Sequence, residues 1–213
     1  MNDFNVKKLK YDIDQVLYHF GLERHSESAM LDSLLQVEVP ADYELPLLLE
    51  QQRVMLALEG DVWNEEELKM HFLSPLFLLS DLQVPKKMKL FYERPLAGIV
   101  QSTVVSVVCD ALLASPMGIN TPQKPYFFLQ EFKKGKNTQN DAEGQMLVAM
   151  LIAQTLNNDQ QPLYGCYLQG RYWYFSVLYE RFYCLSGSYD ATRPRELAQI
   201  VHILQHIKYL VKQ

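Results

Sequence analysis

The sequence predicts a mixed α/β protein, and three observations carry that prediction. Apolar residues recur at helical spacing through roughly the first eighty positions. After Pro85 the chain turns to β-branched and aromatic runs. Between them, "NDAEGQMLVAMLIAQTLNN" returns to helical periodicity and reads as a crossover helix. The chain has 213 residues, 48% of them hydrophobic and 21% charged, which is enough apolar material for one domain with a helical appendage.

The elements follow in order. Val6, Leu9, Ile13, Val16, Leu17 and Phe20 form one helical stripe that Gly21 stops. Further helices are predicted over about 28–36 and 45–59, so residues 1–60 read as a helical N-terminal extension. Asn64 caps "WNEEELKMHFLSPLFLLSDL", whose acidic first turn suits the helix dipole. "KMKLFYERP", "GIVQSTVVSVVCDALLAS" and "YFFLQEFKK" read as three strands in an antiparallel meander. After the crossover helix come "LYGCYLQG" and "RYWYFSVLYERFYCLS" as two more strands, then a closing helix with Pro194 near its start. Residues 61–213 are therefore expected to form the main domain, in the order βββαββα after its opening helix.

A net charge of −5 argues against coating nucleic acid through bulk positive charge, but not against a site in which a divalent cation supplies it. Cys109, Cys166 and Cys184 are odd in number, far apart and set in apolar runs, which predicts reduced buried thiols. No signal core and no long apolar span occurs, so a cytoplasmic protein with no membrane association is expected.

The candidate chemistry begins at "PYFFLQEFKKGK". Strand alternation puts Phe127, Leu129, Glu131 and Lys133 on one face and Tyr126, Phe128, Gln130 and Phe132 on the other. Both faces are mostly apolar, which fits a central strand that ends in a carboxylate and an ammonium pointing the same way. Asp110 sits within the apolar run "VVSVVCDALLAS", where a buried carboxylate needs a cation, a donor network or a metal. Pairing of these two strands would bring Asp110 beside Glu131; Arg94 or Lys133 could serve Asp110 as a plain ion-pair partner instead. On the helix after Asn64, Glu65 falls in the sector of Leu68, Phe72, Leu76 and Leu79, whereas Glu67 points away and answers only the dipole.

An inward acid on an early helix, an Asp on one strand and Glu-x-Lys ending the next together resemble the PD-(D/E)xK nuclease superfamily, the restriction-endonuclease-like fold. "NEEELKMHFLSPL" is also similar to the helix that opens the nuclease domain of type I restriction subunits. The resemblance covers about 60–180 and implies a mixed sheet flanked by helices, with the N-terminal extension outside it. It implies phosphodiester hydrolysis, with DNA as the expected substrate. Asp110, Glu131 and the Phe132 carbonyl would hold magnesium, with manganese as substitute; Glu65 would assist, and Lys133 would handle the attacking water. Gln145 stands where some members carry a glutamine, although Ala149 replaces the tyrosine that accompanies it and Cys109 replaces a proline before Asp110. The alternative is a catalytically weak or inactive nuclease-fold module that binds protein or nucleic acid; in either case residues 1–60 could serve a homodimer or a protein partner.

Other signals are weaker. His202 and His206 are spaced i, i+4 without a third ligand and read as a helix-surface pair. The aromatic run around Tyr172–Tyr183 reads as sheet core in preference to a base-stacking platform. Arg171 reads as a hairpin residue or a phosphate contact. Lys133, Lys134 and Lys136 with the polar stretch after them suggest a loop beside the site.

Overall fold

A computed structural model describes residues 11–133 and 141–210, giving the backbone alone for 127–130 and 133. The protein is mixed α/β. Helix α1 (Ile13–Phe20) starts at the Asp12 cap and stops at Gly21, whose φ of 58° is the left-handed conformation a terminating glycine supplies freely. The stripe residues Val6 and Leu9 lie outside the described residues. Strand β1 (Glu23–His25) follows, then α2 (Ala29–Leu35) capped by Ser28, then α3 (Leu47–Glu59). The N-terminal region is thus not wholly helical. β1 pairs in parallel with β7 (Phe182–Leu185), Glu23 opposite Phe182, and extends the sheet. Three polar residues, all exposed, carry no apolar alternation that would mark them as a strand.

Next comes one helical rod of three parts: α4 (Glu65–Leu68), a π-helical turn (Lys69–Leu73) and α5 (Ser74–Leu79). Asn64 and Glu67 close a capping box, each side chain accepting from the other's backbone N–H at 2.9 and 2.6 Å. Pro75 has no N–H to give to residue 71, and the wider turn just before it accommodates that loss. The extra residue shifts the apolar phase. Leu68, Phe72 and Leu76 are buried as the wheel predicts, but Leu73 and Phe77 join them while Leu79 is only partly covered.

Strands β2 (Lys89–Val100), β3 (Thr103–Met117) and β4 (Thr121–Lys133) form the antiparallel meander. Helix α6 (Ala142–Asn157) then crosses over to β5 (Leu163–Gln169), which runs parallel to β4. β6 (Tyr172–Tyr179), β7 and the short β8 (Tyr189–Asp190) complete the sheet, whose order is β1-β7-β6-β5-β4-β3-β2 with β8 on β6. Helix α7 (Pro194–Leu210) closes the described chain. β4 is central, as its two-sided apolar pattern implies.

Two strand boundaries depart from the sequence reading. β2 runs on through Val100, and Gln101 and Ser102 turn it back with φ of 46° and 71°. Both central residues of this tight turn are left-handed, as in the hairpin turns that match strand twist, although Asn-Gly is their usual signature. Likewise "RYWYFSVLYERFYCLS" folds into β6 and β7 about Glu180 at φ 52°.

The sheet has a core on each side. α2, α3, the α4–α5 rod and α7 cover one face, where Phe77 meets Phe132 and Trp173 at ring distances of 6.0 and 6.3 Å. α1 and α6 cover the other. Gly144 lets the N-terminal chain cross α6 closely: a Cβ there would lie 2.2 Å from the Tyr11 carbonyl oxygen. The three cysteines are buried free thiols. No described helix is long and apolar enough to cross a membrane.

Candidate active site

The hairpin β2–β3 changes phase at one place. Val105, Val107 and Cys109 pack beneath α6, but past Asp110 the even-numbered Leu112 and Ala114 do so, while Ala111 and Leu113 turn to the opposite core. β2 switches in step, from Phe91 to Leu96 on the α6 side. The register is constant across the switch, with Tyr92 opposite Ala111 and Arg94 opposite Cys109. Glu93 and Asp110 are the pair between them. Glu93 takes the strain, at φ 49°, a conformation that costs a non-glycine residue about 1 kcal/mol. The preceding alternation, with Val104, Ser106 and Val108 exposed, would leave position 110 open to solvent; at the switch Asp110 is buried instead.

Asp110 is 7% exposed and Glu131 4% exposed. Ala111 is opposite Gln130 on β4, so the next step of the ladder brings Asp110 and Glu131 together. They line one open cleft with Glu93, Gln145 and Tyr11. Asp110 has both carboxylate oxygens engaged: Oδ2 accepts the Phe132 backbone N–H at 2.8 Å, and Oδ1 lies 3.2 Å from the Lys69 ammonium. Lys69, first residue of the π-helical turn, also reaches Glu93 at 2.7 Å, Glu65 at 3.4 Å and Glu66 at 3.7 Å. Burial pulls the Lys69 pKa down, but the bonds and charges of Glu93 and Asp110 outweigh it and hold the ammonium protonated above its ordinary range. Cys109 shows the same negative field: burial, then the charges of Glu131 and Asp110, push its thiol up.

The sequence-derived residues thus fall as follows. Asp110, Glu131 and Gln145 share the cleft. Glu65 stands at its helical edge, 36% exposed against 79% for Glu66, and reaches the cluster through Lys69. Phe132 contributes its amide to Asp110, while its ring packs into the opposite core. The Lys133 side chain and the 134–140 segment with Lys134 and Lys136 lie outside the described residues. Arg94 does not serve Asp110. It pairs by register with Cys109, and its Nε is buried without a hydrogen-bond partner.

Lys69 and Glu93 are site residues that sequence reasoning missed. A signal for Lys69 was present: four residues after Glu65 it lies about 40° from it on the helical wheel, so the same geometry selects both. Glu93 carried none, because nothing in "FYERP" marks a left-handed residue. Of the weaker signals, His202 and His206 sit against carbonyls of Ala198 and Leu34 respectively. Arg171 stacks on Tyr172 and pairs with Asp190 at 3.5 Å in its hairpin.

A hard cation suits this donor set of carboxylate and carbonyl oxygens. As the side chains stand, however, no three His, Cys, Asp or Glu among the described residues are grouped to hold an ion. Asp110 Oδ1 faces an ammonium instead. In comparisons with known proteins, no family model matches the chain and no curated protein matches it significantly.

Proposed function

We propose that the protein is a metal-dependent nuclease of the restriction-endonuclease-like class that hydrolyses phosphodiester bonds in DNA. The observation that carries this reading is the meeting of two buried carboxylates, Asp110 and Glu131, on neighbouring strands at one open cleft. Burying two like charges side by side is costly, and a protein without use for them has no physical reason to do so. The strand order supports it too: an antiparallel meander ending in Glu131-x-Lys133, a crossover helix, then a strand parallel to that ending.

In this reading Asp110, Glu131 and the Phe132 carbonyl would hold magnesium or manganese, with help from Glu65. Once bound, the ion neutralises charge on the phosphate and makes its water more acidic. The chain's own groups do the rest. The Phe132 N–H fixes the orientation of Asp110. By the resemblance, Lys133 would steady the attacking water, whose proton would pass to bulk solvent. Gln145 lines the same cleft from α6 and in this reading would contact the substrate phosphate.

One observation favours the second reading, a module that binds without cleaving: Lys69 already neutralises Asp110, so the cluster holds together without a metal. Calorimetric titration with magnesium and manganese, run beside a cleavage assay on diverse DNA and RNA, separates the two. The nuclease reading expects metal binding lost in Asp110→Asn and cleavage lowered by about 100-fold or more in Glu131→Gln and Lys133→Ala. Wild-type protein that neither binds metal nor cleaves, with nucleic acid present, overturns it in favour of the module.

A further inference from the structure

We propose that Lys69 is a built-in competitor for the metal, so that ion binding at Asp110 is an exchange in which the Lys69 ammonium withdraws onto Glu93. The inference rests on reading Asp110 and Glu131 as the metal pair. It names how that site is controlled.

The geometry supplies each part of the exchange. The Lys69 ammonium contacts the Asp110 oxygen that a cation would need, at 3.2 Å, while Oδ2 is committed to the Phe132 amide. A divalent ion at Oδ1 and an ammonium at the same oxygen would repel each other strongly. Lys69 therefore has to leave, and it has somewhere to go. Glu93 holds the same nitrogen at 2.7 Å and is 57% exposed; Glu65 and Glu66 extend the acidic path toward solvent. Releasing the longer contact while keeping the shorter one needs only rotation about the flexible four-carbon stem. The displaced ammonium stays paired throughout, so no buried bare charge is created.

The left-handed Glu93 has a role in this exchange. Its position directly across from Asp110 places the receiving carboxylate beside the one being vacated. The same arrangement explains how the resting protein tolerates its acidic cleft: Lys69 offsets the carboxylates until an ion of higher charge replaces it. Ions of single charge gain little by displacing an ammonium that is already tethered, which makes the exchange selective for divalent ions.

The test compares manganese and magnesium affinity by calorimetry in the wild type, Lys69→Met and Lys69→Arg, each checked for folding by circular dichroism. Removing the competing charge is expected to tighten manganese binding in Lys69→Met by on the order of tenfold or more. Lys69→Arg, which keeps the charge, is expected to bind no tighter than wild type. If the wild type binds and Lys69→Met binds equally or more weakly, the exchange is wrong and the nuclease reading stands. If neither folded protein binds metal, the metal site itself is wrong and the exchange falls with it. Should Lys69→Met not fold, the wild-type Lys69 ¹⁵Nζ resonance, assigned by its loss in Lys69→Arg, reads the same event. It is expected to shift on magnesium titration with the calorimetric Kd; a resonance that stays fixed while magnesium binds overturns the proposal.

Discussion

Glu93 faces Asp110 across the β2–β3 ladder, and the two carboxylates share the Lys69 ammonium, at 2.7 and 3.2 Å. One residue reaches this position by backbone strain and the other by interrupting an apolar strand. Both irregularities occur at the same step of the hairpin, where the side chains of β2 and β3 exchange faces together without any slip in register. A local departure from regular sheet structure therefore builds the acidic end of the cleft.

The strain at Glu93 makes a measurable prediction. Glu93→Asn and Glu93→Val both remove the Lys69 partner, so their difference isolates the backbone. Asparagine tolerates the left-handed region and a β-branched residue does not. The valine variant is expected to be less stable than the asparagine variant by about 1–2 kcal/mol in urea unfolding. Equal stabilities would show that the φ of 49° is not a constraint on the folded chain.

A second prediction concerns the crossing of the N-terminal chain over α6. Gly144→Ala would place a methyl 2.2 Å from the Tyr11 carbonyl oxygen, so the crossing chain must lift away. The Ile13 amide, which donates to Asp141 Oδ2 at 2.8 Å, is then expected to lose protection from hydrogen exchange. The variant should lose about 1–3 kcal/mol of stability, the usual cost of overpacking. Retained protection at Ile13 would refute the contact.

The third is a pH dependence at the first turn of α6. Glu143 is 8% exposed, accepts from the Tyr183 hydroxyl at 3.0 Å and pairs with Arg24 at 3.2 Å. Burial raises its pKa, and the opposing effects of Arg24 and Tyr183 do not cancel the rise. The folded state thus holds this proton more tightly than the unfolded chain does. Its contribution to stability is full below the unfolded carboxyl pKa and fades as pH climbs through the raised folded value. Between about pH 4 and pH 8, Glu143→Gln is expected to lose less stability than wild type as pH rises, read from urea midpoints. Parallel curves for the two proteins would contradict the raised pKa.

Several residues of the candidate cleft are legible in the sequence because their positions rest on local rules. Asp110 within a hydrophobic run and Glu131 at the end of a two-sided strand are visible as costly charges, and helix spacing singles out Glu65. What stayed hidden depends on conformations that sequence does not advertise. Gln101 and Ser102 make a tight hairpin turn without Asn or Gly, so β2 was read too short and β3 too long. The π-helical turn before Pro75 moved Leu73 and Phe77 inward against a wheel drawn for a regular helix. A lysine that follows three glutamates on a helix carries the pattern of an exposed ion pair, whereas the Lys69 side chain is only 16% exposed. Strand β1 is recognisable only through its partner, which is distant in sequence.

That partnership bears on how the chain is made. Arg181 donates to the carbonyl of Gly21, 160 positions earlier, beside the parallel pairing of β1 with β7. On a ribosome adding about 5–20 residues per second, residues 23–25 wait many seconds before β7 exists to receive them. Until then the outer edge of the growing sheet has nothing to close it. Shortening the N-terminus through β1 should therefore leave growing chains unaffected and uncover the β7 edge in the completed one, so that aggregation begins only after synthesis ends.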